Sequence, residues 1–262
     1  MRIINLIMKE KSSIALEFDN VLPELLFDKS LSQIREVTIY RGNREEQLCQ
    51  YFDVETSGKC EDASECTIVI DGDLSRVKRI GFAMSCGKII ANSSVDFHVG
   101  ACMSGGEIIV NGDAESYAGR EMTGGTLEIL GSVKEFCGSS YAGEWRGMSG
   151  GEIIIHENAG KHLADYMIGG SIHIMGNCDI LAGVHMSGGR IQIDGDVTQW
   201  LGGQMKKGTI ILNGKIKDVL PGFIFNEYIH HPLIGDKYYV GRYGLYSGDK
   251  TVRGKGQLWI KQ

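Results

Sequence analysis

Proline is scarce in this chain, three residues in 262, while glycine is abundant at 37. No Gly-X-Y period accompanies the glycines, which excludes a collagen-like rod, and the composition is not that of a disordered segment. No run of 18 apolar residues occurs, so nothing reads as a transmembrane helix. Met1 to Lys11 lacks the long apolar core and small-residue cleavage site of a secretory signal. A cytoplasmic protein without a membrane partner is therefore expected. Basic residues are scattered and the net charge is −6, so the chain has no electrostatic footprint for nucleic acid. The seven cysteines (Cys49, Cys60, Cys66, Cys86, Cys102, Cys137 and Cys178) are odd in number and form no C-x-x-C pair. That argues against a disulfide framework and against a self-contained zinc or iron–sulfur site; reduced thiols and no metal in this chain are expected. No G-x-G-x-x-G or G-x-x-x-x-G-K-[ST] opens a helix, so a phosphate-binding loop is not expected. No serine, cysteine or carboxylate sits with a base in a recognisable nucleophile arrangement, and no catalytic residue is assigned.

What the chain does have is a repeat. Met84, Met103, Met122, Met148, Met167, Met186 and Met205 fall 19 residues apart, except for a spacing of 26 between Met122 and Met148. Three residues after each comes glycine: Gly87, Gly106, Gly125, Gly151, Gly170, Gly189 and Gly208. Glycine alone takes positive φ without steric cost, so this position reads as a corner of fixed backbone geometry. Two and four residues beyond it stand apolar side chains, from Ile89 and Ala91 to Ile210 and Leu212, a period of two that turns one face of a strand inward. A second, weaker inward position lies four before the methionine (Ile80, Val99, Ala118, Leu163, Ala182, Leu201), with Glu144 as the exception. A 19-residue unit is too short for a helix pair or a propeller blade, and no helical period runs through it. The expected fold is all-β: a right-handed parallel β-helix of seven coils, about 34 Å tall at the strand spacing. The methionines are expected to fill space between coils instead of binding a soft metal.

The division expected is an N-terminal cap over 1–65, β-helix repeats over 66–215 and an aromatic C-terminal flank over 216–262. Cys66 to Asp73 reads as an irregular first rung. The flanks are expected to cover the open ends of the column. The C-terminal one, with Tyr243 among its aromatics, is also a candidate anchor for a partner. The seven-residue break, at about 138–145, falls in Phe136–Gly147 and carries Tyr141, Trp145 and Arg146, side-chain types that dominate interface hot spots. It is either a docking loop or a neutral insertion. His156, His162, His173 and His185 occupy different places in the repeat and read as surface histidines.

The motif G/W-x-x-M-x-x-G-x-I-x-I-x-G, met as Gly100-Ala-Cys-Met-Ser-Gly-Gly-Glu-Ile-Ile-Val-Asn-Gly112 and as Trp145-Arg-Gly-Met-Ser-Gly-Gly-Glu-Ile-Ile-Ile-His-Glu157, resembles the repeat in the C subunit of formylmethanofuran dehydrogenase. The resemblance covers residues 66 to 214, with departures at Ala164 and Ser93. It implies a non-catalytic subunit of an oxidoreductase complex that reduces carbon dioxide and fixes it as formyl-methanofuran, the first step of methanogenesis. It also implies that the molybdopterin or tungstopterin, the iron–sulfur clusters and the zinc site belong to partner subunits: pterin-metal, ferredoxin-like and amidohydrolase chains. Three alternatives share the repeat: the C subunit of the methylotroph formyltransferase/hydrolase complex, the glutamate synthase β-helix, and a free-standing structural β-helix.

Overall fold

A computed structural model describes residues 1–262. The chain is mostly β with a few short helices, and its strands gather into one mixed sheet of thirteen strands and two small ones of four and two. The middle of the large sheet is parallel: Cys66–Asp71, Lys88–Ala91, Ser104–Val110, Gly124–Ile129, Glu152–Ile155, Ser171–Ile174, Ser187–Ile193 and Lys207–Leu212 follow one another in order. Each pairs with the next, 19 residues on except for 21 at the first step and 26 across the break, so Ile68, Ile89, Ile108, Leu127, Ile153, Ile172, Ile191 and Ile210 stand in one ladder. Every member of that ladder is buried, and so is the parallel ladder from Ile70 to Leu212.

Two further ladders complete the interior. Ile80, Val99, Ala118, Cys137, Leu163, Ala182 and Leu201 are buried side by side. Cys137, not Glu144, takes the inward place in the fourth repeat, because the break follows this position instead of containing it. The third ladder, Val95, Ala114, Val133, Ala159, Cys178, Val197 and Ile216, consists of single parallel bridges. At the adjoining corner each side chain caps the backbone of the next repeat: Asp113 accepts from the Ser132 N–H (2.8 Å), Asn158 from Asn177 (2.9 Å) and Asp196 from Lys215 (2.7 Å). Short polar side chains thus satisfy amides that the brief bridges leave over.

The methionine and the glycine of the repeat are one packing unit across neighbouring repeats. All seven methionines are fully buried. A β-carbon on Gly106 would stand 2.6 Å from the Met84 Cε, and one on Gly125 would stand 2.7 Å from that of Met103, both below any tolerable contact. The glycines also take φ near +80°. Gly87 has no methionine beneath it; Pro23 and the Cys66 carbonyl of the first rung fill that place.

Both ends of the parallel array are covered. Arg2–Met8 pairs parallel with Cys66–Asp71 and antiparallel with Phe52–Gly58, continuing the inner ladder through Ile4 and Leu6. At the other end Gly256–Lys261 pairs parallel with Lys207–Leu212, placing Leu258 and Ile260 against Ile210 and Leu212. Arg242–Gly248 and Ile224–His230 extend it antiparallel. One core of 56 buried residues runs from the first end to the last. A second cluster lies on the outer face of the last strands, where Tyr239, Tyr243 and Trp259 fold over Ile211, an outward position that the flank has buried.

Candidate functional site

At the break in the repeat the regular wall opens into clefts on either side of an exposed loop. Backbone hydrogen bonds set its limits. The Ser140 N–H reaches the Asp165 carbonyl (3.1 Å) as the Glu121 N–H reaches that of Ser139 (3.0 Å), and the Met148 N–H returns to the Gly138 carbonyl (3.0 Å). The extra seven residues are therefore Tyr141 to Gly147. Of these, Tyr141 to Arg146 are all exposed, Trp145 at 73% and Tyr141 at 48%.

Beside the loop runs a column of rings. Five residues before the methionine, the repeat carries Arg79, His98, Tyr117, His162, Leu181 and Trp200, with Phe136 at the equivalent place before the break. All seven take φ between +57° and +68°, which throws their side chains outward in line. Stacked repeats then stack the rings: His98 on Tyr117 at 5.2 Å, Tyr117 on Phe136 at 5.0 Å and Phe136 on His162 at 4.9 Å between centroids. The separation follows from the spacing of adjacent strands. A second pair, Tyr166 on His185 at 4.3 Å, lies across the loop. Tyr141 leans on the first column, 5.6 Å from Tyr117, and Trp145 meets the second edge-on, 6.1 Å from Tyr166.

Between them is a cleft of about 260 Å³ lined by Tyr117, Phe136, Tyr141, Trp145 and Tyr166, with Glu144 and Asp165 as its charged members. Arg146 faces a different cleft on the other side of the loop, with Arg120 and Glu121. Tyr141 separates the two, the Arg120 guanidinium lying 4.9 Å from its ring centre. Tyr243 is not at this surface. It is 1% exposed and donates to Asn213 Oδ1 (2.5 Å), inside a polar clasp that fastens the C-terminal flank to the last strands. In that clasp Tyr239 donates to Gln192 Oε1 (2.7 Å) and Arg190 donates to the Tyr239 hydroxyl. The exposed aromatics of the flank are Tyr238, at 72%, and Phe225 and Tyr228, each at 43%.

The histidines are more ordered than free surface residues. His162 and His185 stack in the two columns and flank Asp165, the His185 Nδ1 at 2.9 Å and the His162 Nδ1 at 3.5 Å. His156 pairs with Glu128 (2.8 Å) and His173 with Asp194 (2.7 Å). Burial works to raise the Asp194 carboxyl, but hydrogen bonds from Gln192, His173 and Asn213 outweigh it and hold it below the usual range. His98 is pushed down to about 4, first by burial and then by the Arg120, Arg79 and Lys78 charges, so its ring is neutral near pH 7. Burial raises the Cys66 thiol to about 11 and the Cys178 thiol to about 12, and raises Cys137 further. These thiols stay protonated, and no three His, Cys, Asp or Glu side chains converge as a metal-binding group. The aromatic column was missed from sequence, although its signal is there: ring-bearing residues recur in one register beside inward positions that were read.

No family model matches the chain. The C subunit of a tungsten-containing formylmethanofuran dehydrogenase 2 from Methanococcus maripaludis (strain DSM 14266) is 55% identical over 259 residues, 96% of this chain and 94% of that protein. The chain belongs to the family of formylmethanofuran dehydrogenase C subunits. A second family member from Methanococcus maripaludis is 45% identical over the same length. In Methanothermobacter wolfeii the likeness to the C subunit of the tungsten-containing enzyme is 41% over 92 residues, about a third of that protein's length at 33%. Among solved structures, a chain of the formyltransferase/hydrolase complex from Methylorubrum extorquens, determined in complex with methylofuran, superposes with a TM-score of 0.83. The superposition covers 98% of this chain and 99% of that one at 25% identity.

Proposed function

We propose that this chain is the structural, non-catalytic C subunit of a formylmethanofuran dehydrogenase complex, which reduces carbon dioxide and fixes it as formyl-methanofuran. The observation that carries the reading is the 55% identity along nearly the whole of a protein of that name. In this reading the repeats wind as a right-handed parallel β-helix, supported by two parallel ladders whose partners lie 19 residues apart in the regular repeats and 26 apart across the break. Its interior is hydrocarbon, a rigid wall on which other subunits are arranged. The pterin metal, the iron–sulfur clusters and the zinc site are assigned to partner chains of the complex, whose tungsten and molybdenum forms are named among the relatives. The insertion loop, through Tyr141, Trp145 and Arg146, is the docking surface. Tyr243 serves instead to hold the flank. A second reading, the C subunit of a formyltransferase/hydrolase complex, is favoured by the structural match to the Methylorubrum protein.

Anaerobic native purification from the source cells separates the two. Co-purifying pterin-metal, amidohydrolase and ferredoxin-like chains support the dehydrogenase; an amidohydrolase with a formyltransferase and no redox chains supports the second reading. The double variant W145A/R146A is expected to keep its fold and lose partners, and recovery of intact complex from it would rule out the loop as docking surface.

A further inference from the structure

The cleft beside the insertion loop has an unusual lining for an interface depression. Five aromatic rings surround about 260 Å³, and Glu144 and Asp165 are the charged side chains among them; neither lysine nor arginine contributes. Aromatic faces carry negative charge density, and carboxylates beside them deepen the field, so the preferred occupant is a cation with an apolar stem. Asp165 is only 15% exposed, and its hydrogen-bonded partner is the His185 ring nitrogen. The loop already shows the chemistry on its far side, where the Arg120 guanidinium rests against Tyr141. The near face of Tyr141, like Trp145, is open to the cleft.

We propose that this cleft is a receptor for one arginine side chain of the partner that docks on the insertion loop. The proposal rests on the reading of the loop as a docking surface. A planar guanidinium stacks on rings and is weakly hydrated, which suits a slot between Tyr141, Trp145 and Tyr166 better than a compact, strongly hydrated ammonium. Glu144, exposed at the rim, supplies steering and a charge-assisted hydrogen bond. Asp165, held beneath by His185, supplies fixed negative charge at the floor.

The test begins with the full chain and n-propylguanidinium chloride, followed through the Trp145 indole N–H resonance, with that signal assigned by W145F. Neutral n-propylurea, of the same shape, is the control. The guanidinium is expected to shift the resonance saturably and the urea not to shift it; E144Q is expected to weaken the guanidinium several-fold. Equal responses to both probes identify a merely apolar slot and overturn the proposal, as does no response to either. In purified complex, E144K is expected to loosen the docked partner at least ten-fold. Complex that forms from the wild type and is retained equally by E144K overturns the arginine receptor while leaving membership of the complex standing. Absence of partners from the wild type itself instead overturns the functional reading on which it rests.

Discussion

At the residue scale, the glycine after each methionine from Gly106 onward is held by two independent constraints, the left-handed backbone and the methionine methyl group of the preceding repeat. Gly125 has φ +82° and lies where a β-carbon would meet Met103 Cε at 2.7 Å and Gly105 backbone at 2.8 Å. Gly125→Ala is expected to cost about 3 kcal/mol, from strain and overpacking together. Gly143 has φ +93° and open space around it, so Gly143→Ala is expected to cost about 1 kcal/mol from the backbone alone. Chemical denaturation measures both; equal losses would show that the methionine contact is unimportant. His98 offers a second test. Its folded value, about 4, lies below the ordinary 6.5, so the unfolded chain takes the proton first. Stability present above pH 6.5 is therefore lost as pH falls toward 4. Its Nδ1 is buried without a partner, and the ring stacks on Tyr117. His98→Phe is expected to keep the stack and flatten the decline between pH 6.5 and 4 in denaturation midpoints; an unchanged slope would assign the decline to other groups.

At the element scale, the insertion is separable from the wall that carries it. Ser140 and Met148 already make the hydrogen bonds that adjacent residues make in an uninterrupted repeat. Deleting Tyr141 to Gly147 restores the 19-residue period, and loop length by itself contributes little to stability. The shortened chain is expected to unfold within about 1 kcal/mol of the full one and to lose its partners in native purification. A large loss of stability would mean that the loop braces the ring columns. The loop was legible in sequence as a break in the repeat, because a period exposes any departure from itself. Its limits were not: the spacing of the methionines gives seven extra residues and places them near 138–145, but the return to register at 141–147 depends on which amides find partners in the next repeat.

At the scale of the whole molecule, the flanks cover the ends of the parallel array. The last repeat strand, Lys207–Leu212, is paired by Gly256–Lys261 and its outward Ile211 lies under Trp259 and Tyr243. A chain ending at Ile216 would present that strand with a full row of free backbone groups beside an apolar face. Such an edge templates pairing with another chain. Light scattering is expected to show the truncated chain self-associating at concentrations where the full chain does not. If both stay monodisperse, the flank is needed for something other than covering the edge.

The sequence by itself determined the repeat, the inward positions of its main strand, the glycine corner, and the family through its motif. Each is a local pattern copied at constant spacing, and copying makes a pattern visible without knowledge of contacts. Only the tertiary structure decided which residues the stacking brings together. It set His98, Tyr117, Phe136 and His162 in one column, gave Cys137 the inward place of the fourth repeat where the spacing left Glu144 as an exception, and drew Tyr243 inside the flank. Those outcomes depend on how one repeat lies on the next, and on a flank without a period that folds back across the sheet, where a tyrosine is equally suited to a surface or to a buried hydrogen bond.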